Sequence, residues 1–141
     1  SEYNHKILLT ENSDPTKIMP HIVVCIDELA DLIISHGKKV ENMLGRLSQK
    51  ARAAGIHLVL ATQRPTSDVI KGLIKTNVPA RIAFRVASHV DSHVILQSKG
   101  AESMLGQGDC LLLTPFYSSL QRIQSPLVTV EEIQRVVKAI S

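Results

Sequence analysis

Asp27 and Glu28 directly follow the apolar run Ile22-Val23-Val24-Cys25-Ile26, and two acids in that position can do phosphoryl chemistry. A strand ending in two carboxylates has the Walker B pattern. The first carboxylate holds Mg²⁺, usually through a water ligand, and the second polarises the attacking water. The same pair also suits a plainer role, capping the next helix and favouring its dipole. On these residues alone both readings stand. Gln63 closes a second apolar run, and its carboxamide could sense a γ-phosphate, orient water, or bond its own loop. Arg64-Pro65 then adds a cation with a rigid exit, suited either to a phosphate or to a nearby acid.

Other chemistries find less support. No G-x-x-x-x-G-K-S/T run occurs, since Gly45, Gly55, Gly72, Gly100, Gly106 and Gly108 do not form one. On that ground the chain alone is expected to be inactive as an ATPase and not to bind ATP tightly. His89 and His93 are four apart, a spacing that can bind metal on a helix. They lack an obvious third ligand and the HExxH glutamate, so surface or packing histidines are the expectation. No serine or cysteine sits in a nucleophile-elbow or triad motif. Cys25 and Cys110 each lie in an apolar run and read as buried thiols of a cytoplasmic protein rather than a disulfide.

The elements that must position the acids follow from periodicity. Residues 1–20 read as a polar lead-in with a turn at Asn12-Ser13-Asp14-Pro15, and residues 21–141 as the folded part. His21 to Ile26 is too short for a helix, is rich in β-branched residues, and reads as a strand buried on both faces. Leu29 to Ser35 reads as a helix closed near Gly37. Val40, Met43, Leu44, Leu47, Ala51 and Ala54 then recur at helical spacing before Gly55. Ile56 to Thr62 and Arg81 to Val86 are two further strands, with a short helix over Asp68 to Lys75 between them. Ser88 and Asp91 open a helix to about Gln97, Asp109 to Leu113 and Leu120 to Gln124 suggest a hairpin, and Thr129 with Glu132 caps a final helix. Val130, Ile133, Val136, Val137 and Ile140 form its apolar stripe. Strands alternating with helices imply an α/β fold, a mostly parallel sheet with helices on both faces. Ligands then gather at the C-terminal strand edges, where Asp27, Glu28 and Gln63 lie.

Composition bounds the partners. With 44% apolar and 21% charged residues, the 141-residue chain is globular rather than disordered. No apolar run is long enough to span a bilayer and no secretion signal is visible. The opening Ser1-Glu2, without Met, leads us to expect a segment of a longer protein. A net charge of +3 permits a nucleic-acid partner, and an aromatic content of only 3% implies a grip on phosphates rather than stacking on bases.

Several segments together resemble FtsK/SpoIIIE-family translocases. Ile22 to Leu32 resembles the family's Walker B segment. Gln49-Lys50-Ala51-Arg52-Ala53-Ala54-Gly55-Ile56-His57-Leu58-Val59-Leu60-Ala61-Thr62-Gln63-Arg64-Pro65 is similar to its most recognisable run. Asp68 to Phe84 continues the match, and Gly100 to Asp109 fits a later loop and strand entry. The match covers roughly Pro20 to Leu113 without a gap, which makes it far more specific than a lone acidic pair.

The resemblance implies a partial RecA-like P-loop NTPase fold, here the C-terminal part of an ATPase motor domain lying downstream of Walker A. It implies ATP and Mg²⁺ as cofactors, with Asp27 as the metal-side carboxylate, Glu28 as the catalytic carboxylate and Gln63 as a sensor at the nucleotide. It implies a homo-hexameric ring around double-stranded DNA, with Lys71 and Lys75 presenting cations to passing phosphates. The activity implied is ATP-driven DNA translocation in chromosome segregation and cell division. The motor would be cytoplasmic, anchored to the inner membrane by other segments, and division or recombination proteins would be possible partners.

The chain departs from the family pattern at His93, where an Arg is usual, and at Gln97, where an Asp is usual. A non-catalytic interaction module is one alternative, supported by the missing phosphate loop and by His93. A related conjugation or secretion ATPase is another. The Ala61 to Pro65 run together with Gly100 to Asp109 favours the chromosome translocases over it.

Overall fold

The computed structural model describes residues 2–9, 14, 17–70 and 72–141, so the turn expected at Asn12 to Pro15 lies, Asp14 apart, outside the described residues. The chain divides into two compact units, Ser1–Val78 and Pro79–Ser141. Within the polar lead-in, Glu2–Leu8 forms a helix (α1). Asn4 ties it to the approach to the first strand, donating to the Met19 carbonyl at 2.7 Å and accepting from the Met19 N–H at 2.9 Å.

In the first unit, β1 (Ile22–Ile26) leads into α2 (Leu29–His36), α3 (Lys38–Ala54) and β2 (Ile56–Leu60). Two glycines set the turns. Gly37, at φ +52°, closes α2, and Gly55, at φ +72°, ends α3 in the left-handed conformation with its N–H on the Ala51 and Arg52 carbonyls. The two strands pair in parallel, from Ile22 opposite Ile56 to Ile26 opposite Leu60. A core of Leu29, Ala30 and Ile33 from α2, Leu44 from α3, Val69, and Ile74 from α4 (Gly72–Asn77) packs with Ile26 and Leu60. Each Leu or Ile buried there contributes roughly 1.5–3 kcal/mol. The short helix expected over Asp68 to Lys75 forms four residues later, because Ser67–Val69 is a turn that starts on the Thr66 carbonyl.

The second unit holds β3 (Arg81–Phe84), α5 (His89–Leu96), a single 3-10 turn (Ala101–Ser103), β4 (Asp109–Leu113), β5 (Gln121–Gln124) and α6 (Val130–Ile140). Ser88 caps α5 by accepting from the Asp91 N–H, and Thr129 and Glu132 complete the expected capping box on α6. The three strands are antiparallel, in the order β3-β4-β5. Ala83, Leu96, Ala101 and Leu111 form the core under one face. Ser92 is fully buried and staples the loop after α5, donating to the Ser98 carbonyl at 2.8 Å and accepting from the Ala101 N–H at 3.1 Å.

Three expectations change. The described strands form one two-stranded parallel sheet and one three-stranded antiparallel sheet, not a mostly parallel one. The loop from Gly100 to Gly108 returns the chain alongside β3, so β4 runs back against it, and β5 follows as a hairpin partner. Nor is β1 covered on both faces. Val23, Cys25, His57 and Val59 share a face that stays exposed, Val23 at 61% and Val59 at 53%, because α2, α3 and α4 pack on the other side only. For the same reason the Cys25 thiol is exposed. Cys110 is buried, and both cysteines are free. The α6 stripe is likewise exposed, from Ile133 at 51% to Ile140 at 79%. No described helix is long and apolar enough to cross a membrane.

Asp109 organises the start of β4. Its buried carboxylate accepts from Arg122 Nε at 2.9 Å, from an Arg122 terminal nitrogen at 2.8 Å and from the Leu105 N–H at 2.7 Å. These bonds, the one from Arg122 first, pull its pKa from 3.8 down to about 2. Beside it, Gly108 at φ +92° brings its backbone against Ser125, where any Cβ would collide with the Ser125 carbonyl. The ionised carboxylate therefore favours the folded state. That contribution is fully present above pH 3.8 and is lost as pH falls towards about 2. Asp109→Asn is expected to melt at a lower temperature than the parent at neutral pH. Its melting temperature should also fall less than the parent's over that acid window, as followed by circular dichroism.

Candidate functional site

The C-terminal ends of β1 and β2 lie side by side, and the pairing continues past both strands. The Ala61 N–H donates to the Ile26 carbonyl at 2.8 Å, and the Leu29 N–H donates to the Ala61 carbonyl at 2.8 Å. Glu28 is therefore held opposite the segment that leaves β2. It is the N-cap of α2, in extended conformation, with Oε1 accepting from the Ala30 N–H at 3.0 Å. The same Oε1 accepts from the Thr62 hydroxyl, and Oε2 accepts from the Gln63 N–H at 2.9 Å. Thr62 is held in turn by the Arg64 N–H, which donates to its oxygen at 3.0 Å. The Thr62 hydroxyl, then the Gln63 and Ala30 N–H groups, hold the Glu28 carboxyl below its ordinary range, and the Arg64 charge adds to this. Glu28 thus carries a full negative charge at neutral pH, half-buried at the sheet edge.

The other expected site residues are placed unevenly. Asp27 is exposed at the end of β1, next to Glu28, where a carboxylate suits a hard cation and its water shell. Gln63 and Arg64 are exposed on the loop leaving β2. Gln63 meets Glu28 through its backbone, with its carboxamide outside that contact. Lys75 lies in the last turn of α4, partly buried. Lys71 lies outside the described residues. His89 and His93 are exposed on α5, and no group of three or more metal-ligating side chains occurs among the described residues. Sequence reasoning missed Thr62. Its signal was a hydroxyl-bearing β-branched residue at the end of the strand beside the acidic pair.

The fold and this acidic strand edge define an α/β segment like those in two solved structures. One is the pCW3 conjugation coupling protein TcpA, in a monomer form with ATPγS, with a TM-score of 0.78 at 25% identity over 99% of this chain and 46% of that one. The other is the cytoplasmic domain of the Thermomonospora curvata type VII secretion ATPase EccC, with a TM-score of 0.72 at 25% identity over 82% of this chain and 13% of that one. The profile of the FtsK/SpoIIIE family matches residues 2–67 of the chain. The chain is 54% identical over 93% of its length to the DNA translocase FtsK 2 of Neisseria meningitidis, and 54% identical over 96% to the DNA translocase FtsK of Leptospira interrogans. It spans only 13% and 14% of those relatives.

Because Glu28 joins α2 to the end of β2, removing its side chain should loosen both. Glu28→Ala is expected to speed amide exchange several-fold at Ala30 and Gln63 and to lower the melting temperature of the chain. Gln63→Ala should change neither, since the contact uses the backbone. Hydrogen exchange read by NMR checks both variants.

Proposed function

We propose that this chain is part of an ATP-driven double-stranded-DNA translocase acting in chromosome segregation and cell division. It would contribute the acidic half of a RecA-like P-loop nucleotide site. The observation that carries this reading is the Glu28 carboxylate, ionised and fixed at the C-terminal edge of two parallel strands with Asp27 exposed beside it. That is where an α/β sheet gathers its ligand and where a hydrolytic site needs a base. A second pump class, serving conjugation or secretion, is favoured by the two structural neighbours. Their 25% identity weighs less than 54% identity to proteins named DNA translocases over nearly the whole chain.

In the proposed division of labour, Asp27 holds the Mg²⁺ of ATP through its water shell and Glu28 accepts hydrogen bonds from the attacking water. Gln63 reports the nucleotide state from the loop leaving β2. Bound Mg²⁺ would neutralise charge developing on the phosphates. The chain has no Gly-rich phosphate loop of its own, so the phosphate grip must come from elsewhere in the motor. Lys71 and Lys75 would meet the DNA backbone within a homo-hexameric ring.

Two experiments in the full-length protein test the reading. Glu28→Gln should retain ATP binding and lose turnover by about a hundredfold or more, as expected when a general base is removed. Steady-state hydrolysis at the parental rate would leave Glu28 a helix cap only. Replacing both Lys71 and Lys75 with Ala should weaken DNA binding at all sequences alike and flatten the salt dependence by roughly one unit of slope for each lost phosphate contact. Binding isotherms over a salt series would show an unchanged slope if these lysines lie away from the DNA.

A further inference from the structure

Glu28 has more donors on it than a helix cap requires, and the extra ones come from β2. An ionised carboxylate offers about four lone-pair sites. Oε1 takes the Ala30 N–H and the Thr62 hydroxyl, while among the described residues Oε2 takes only the Gln63 N–H. The oxygen left with room for a water is therefore Oε2. The Ala30 and Gln63 contacts are made by the main chain, so Thr62 supplies the one side-chain contact to this carboxylate among the described residues. Thr62 is itself held, because the Arg64 N–H donates to its oxygen at 3.0 Å and a β-branched side chain is stiff at χ1. A relay of Arg64 N–H to Thr62 hydroxyl to Glu28 Oε1 thus joins the Ala30 and Gln63 amides in fixing the carboxyl plane.

We infer that Thr62 is a positioning residue for hydrolysis, its hydroxyl holding Oε1 of Glu28 so that Oε2 faces the attacking water. This rests on the reading of Glu28 as the water-activating carboxylate. Thr62 touches neither nucleotide nor water in this role and acts through Glu28. Without its hydroxyl the carboxyl group keeps the Ala30 N–H on Oε1 and the Gln63 N–H on Oε2 but loses its side-chain contact, so its orientation is held less tightly. The nucleotide-binding contacts are untouched, so the loss falls on turnover and not on affinity. The opposite arrangement, in which the hydroxyl parks Glu28 away from water, would give the opposite sign on removal.

The test compares Thr62→Val, which keeps the β-branched shape, with Thr62→Ser, which keeps the hydroxyl. Both are made in the full-length protein and measured by steady-state ATP hydrolysis with DNA present. Thr62→Val is expected to lower kcat about tenfold, the lower end for loss of an outer-shell partner, with KM for ATP unchanged. Thr62→Ser is expected to restore the parental kcat, and Glu28→Gln combined with Thr62→Val should be no slower than Glu28→Gln alone. A Thr62→Val enzyme with parental or raised kcat overturns the inference, as does a loss that Ser does not rescue or one that multiplies with Glu28→Gln. If Glu28→Gln is inactive and Thr62→Val is fully active, only the role of Thr62 fails. If Glu28→Gln keeps parental activity, the reading of Glu28 fails and takes this inference with it.

Discussion

The parallel pairing of β1 with β2 is the constraint on which the site depends. Parallel strands point their C-terminal ends the same way, so whatever follows Ile26 stands beside whatever follows Leu60. The backbone bonds from Ala61 to Ile26 and from Leu29 to Ala61 carry that adjacency past the end of the ladder. Without them Glu28 and Thr62, 34 residues apart in sequence, would share no geometry. The connection that makes the pairing possible is the α2 and α3 crossover, closed by Gly55 at a backbone angle that side-chain-bearing residues rarely adopt. A side chain at Gly55 would therefore act on the site at a distance, through register.

In the second unit a buried charge does comparable ordering. Asp109 sits at the first position of β4 with its carboxylate on Arg122 of β5 and on the Leu105 N–H. It thus joins the strand pair to the loop that precedes it. The bidentate geometry supplies direction as well as attraction, which a point charge would not. The close approach of Gly108 to Ser125 leaves the loop one path into the strand. The antiparallel return of β4 along β3 follows from where that path begins.

What was legible in the sequence was local. The Ser88 cap, the Thr129 and Glu132 box and the Gly55 stop are set by residues within one helical turn of each other, and all three form. The long run shared with the translocases likewise pointed to the family before any geometry was known. The direction of β3 was not legible, because an apolar run reports burial and not polarity of pairing. So β3 read as a parallel-sheet strand although it pairs antiparallel with β4, whereas the hairpin of β4 and β5 forms as expected. One-sided burial was missed for a related reason. Ile22 to Ile26 is apolar at every position, yet α2, α3 and α4 cover only the Val24 and Ile26 side, leaving Val23 and Cys25 exposed. The ion pair of Asp109 with Arg122, 13 residues apart, and the contact of Thr62 with Glu28 are products of tertiary register, which no spacing rule contains.

At Glu28 the two sequence readings, helix cap and catalytic carboxylate, turn out to need the same geometry. A cap requires an extended backbone and a side-chain oxygen turned onto the first amides of the helix, and Glu28 has both. A base requires a carboxylate that is charged, fixed in orientation and not fully saturated. The Thr62 hydroxyl, the Gln63 N–H and the Ala30 cap together supply the fixation and lower the pKa, and they leave Oε2 with a single donor among the described residues. The cap is thus part of how a base would be held. What sets this residue apart from an ordinary capping acid is its second set of bonds, to β2, which a helix alone has no use for. Those bonds couple the acidic pair to the loop carrying Gln63 and Arg64. A displacement of that loop would therefore act directly on the Glu28 carboxylate.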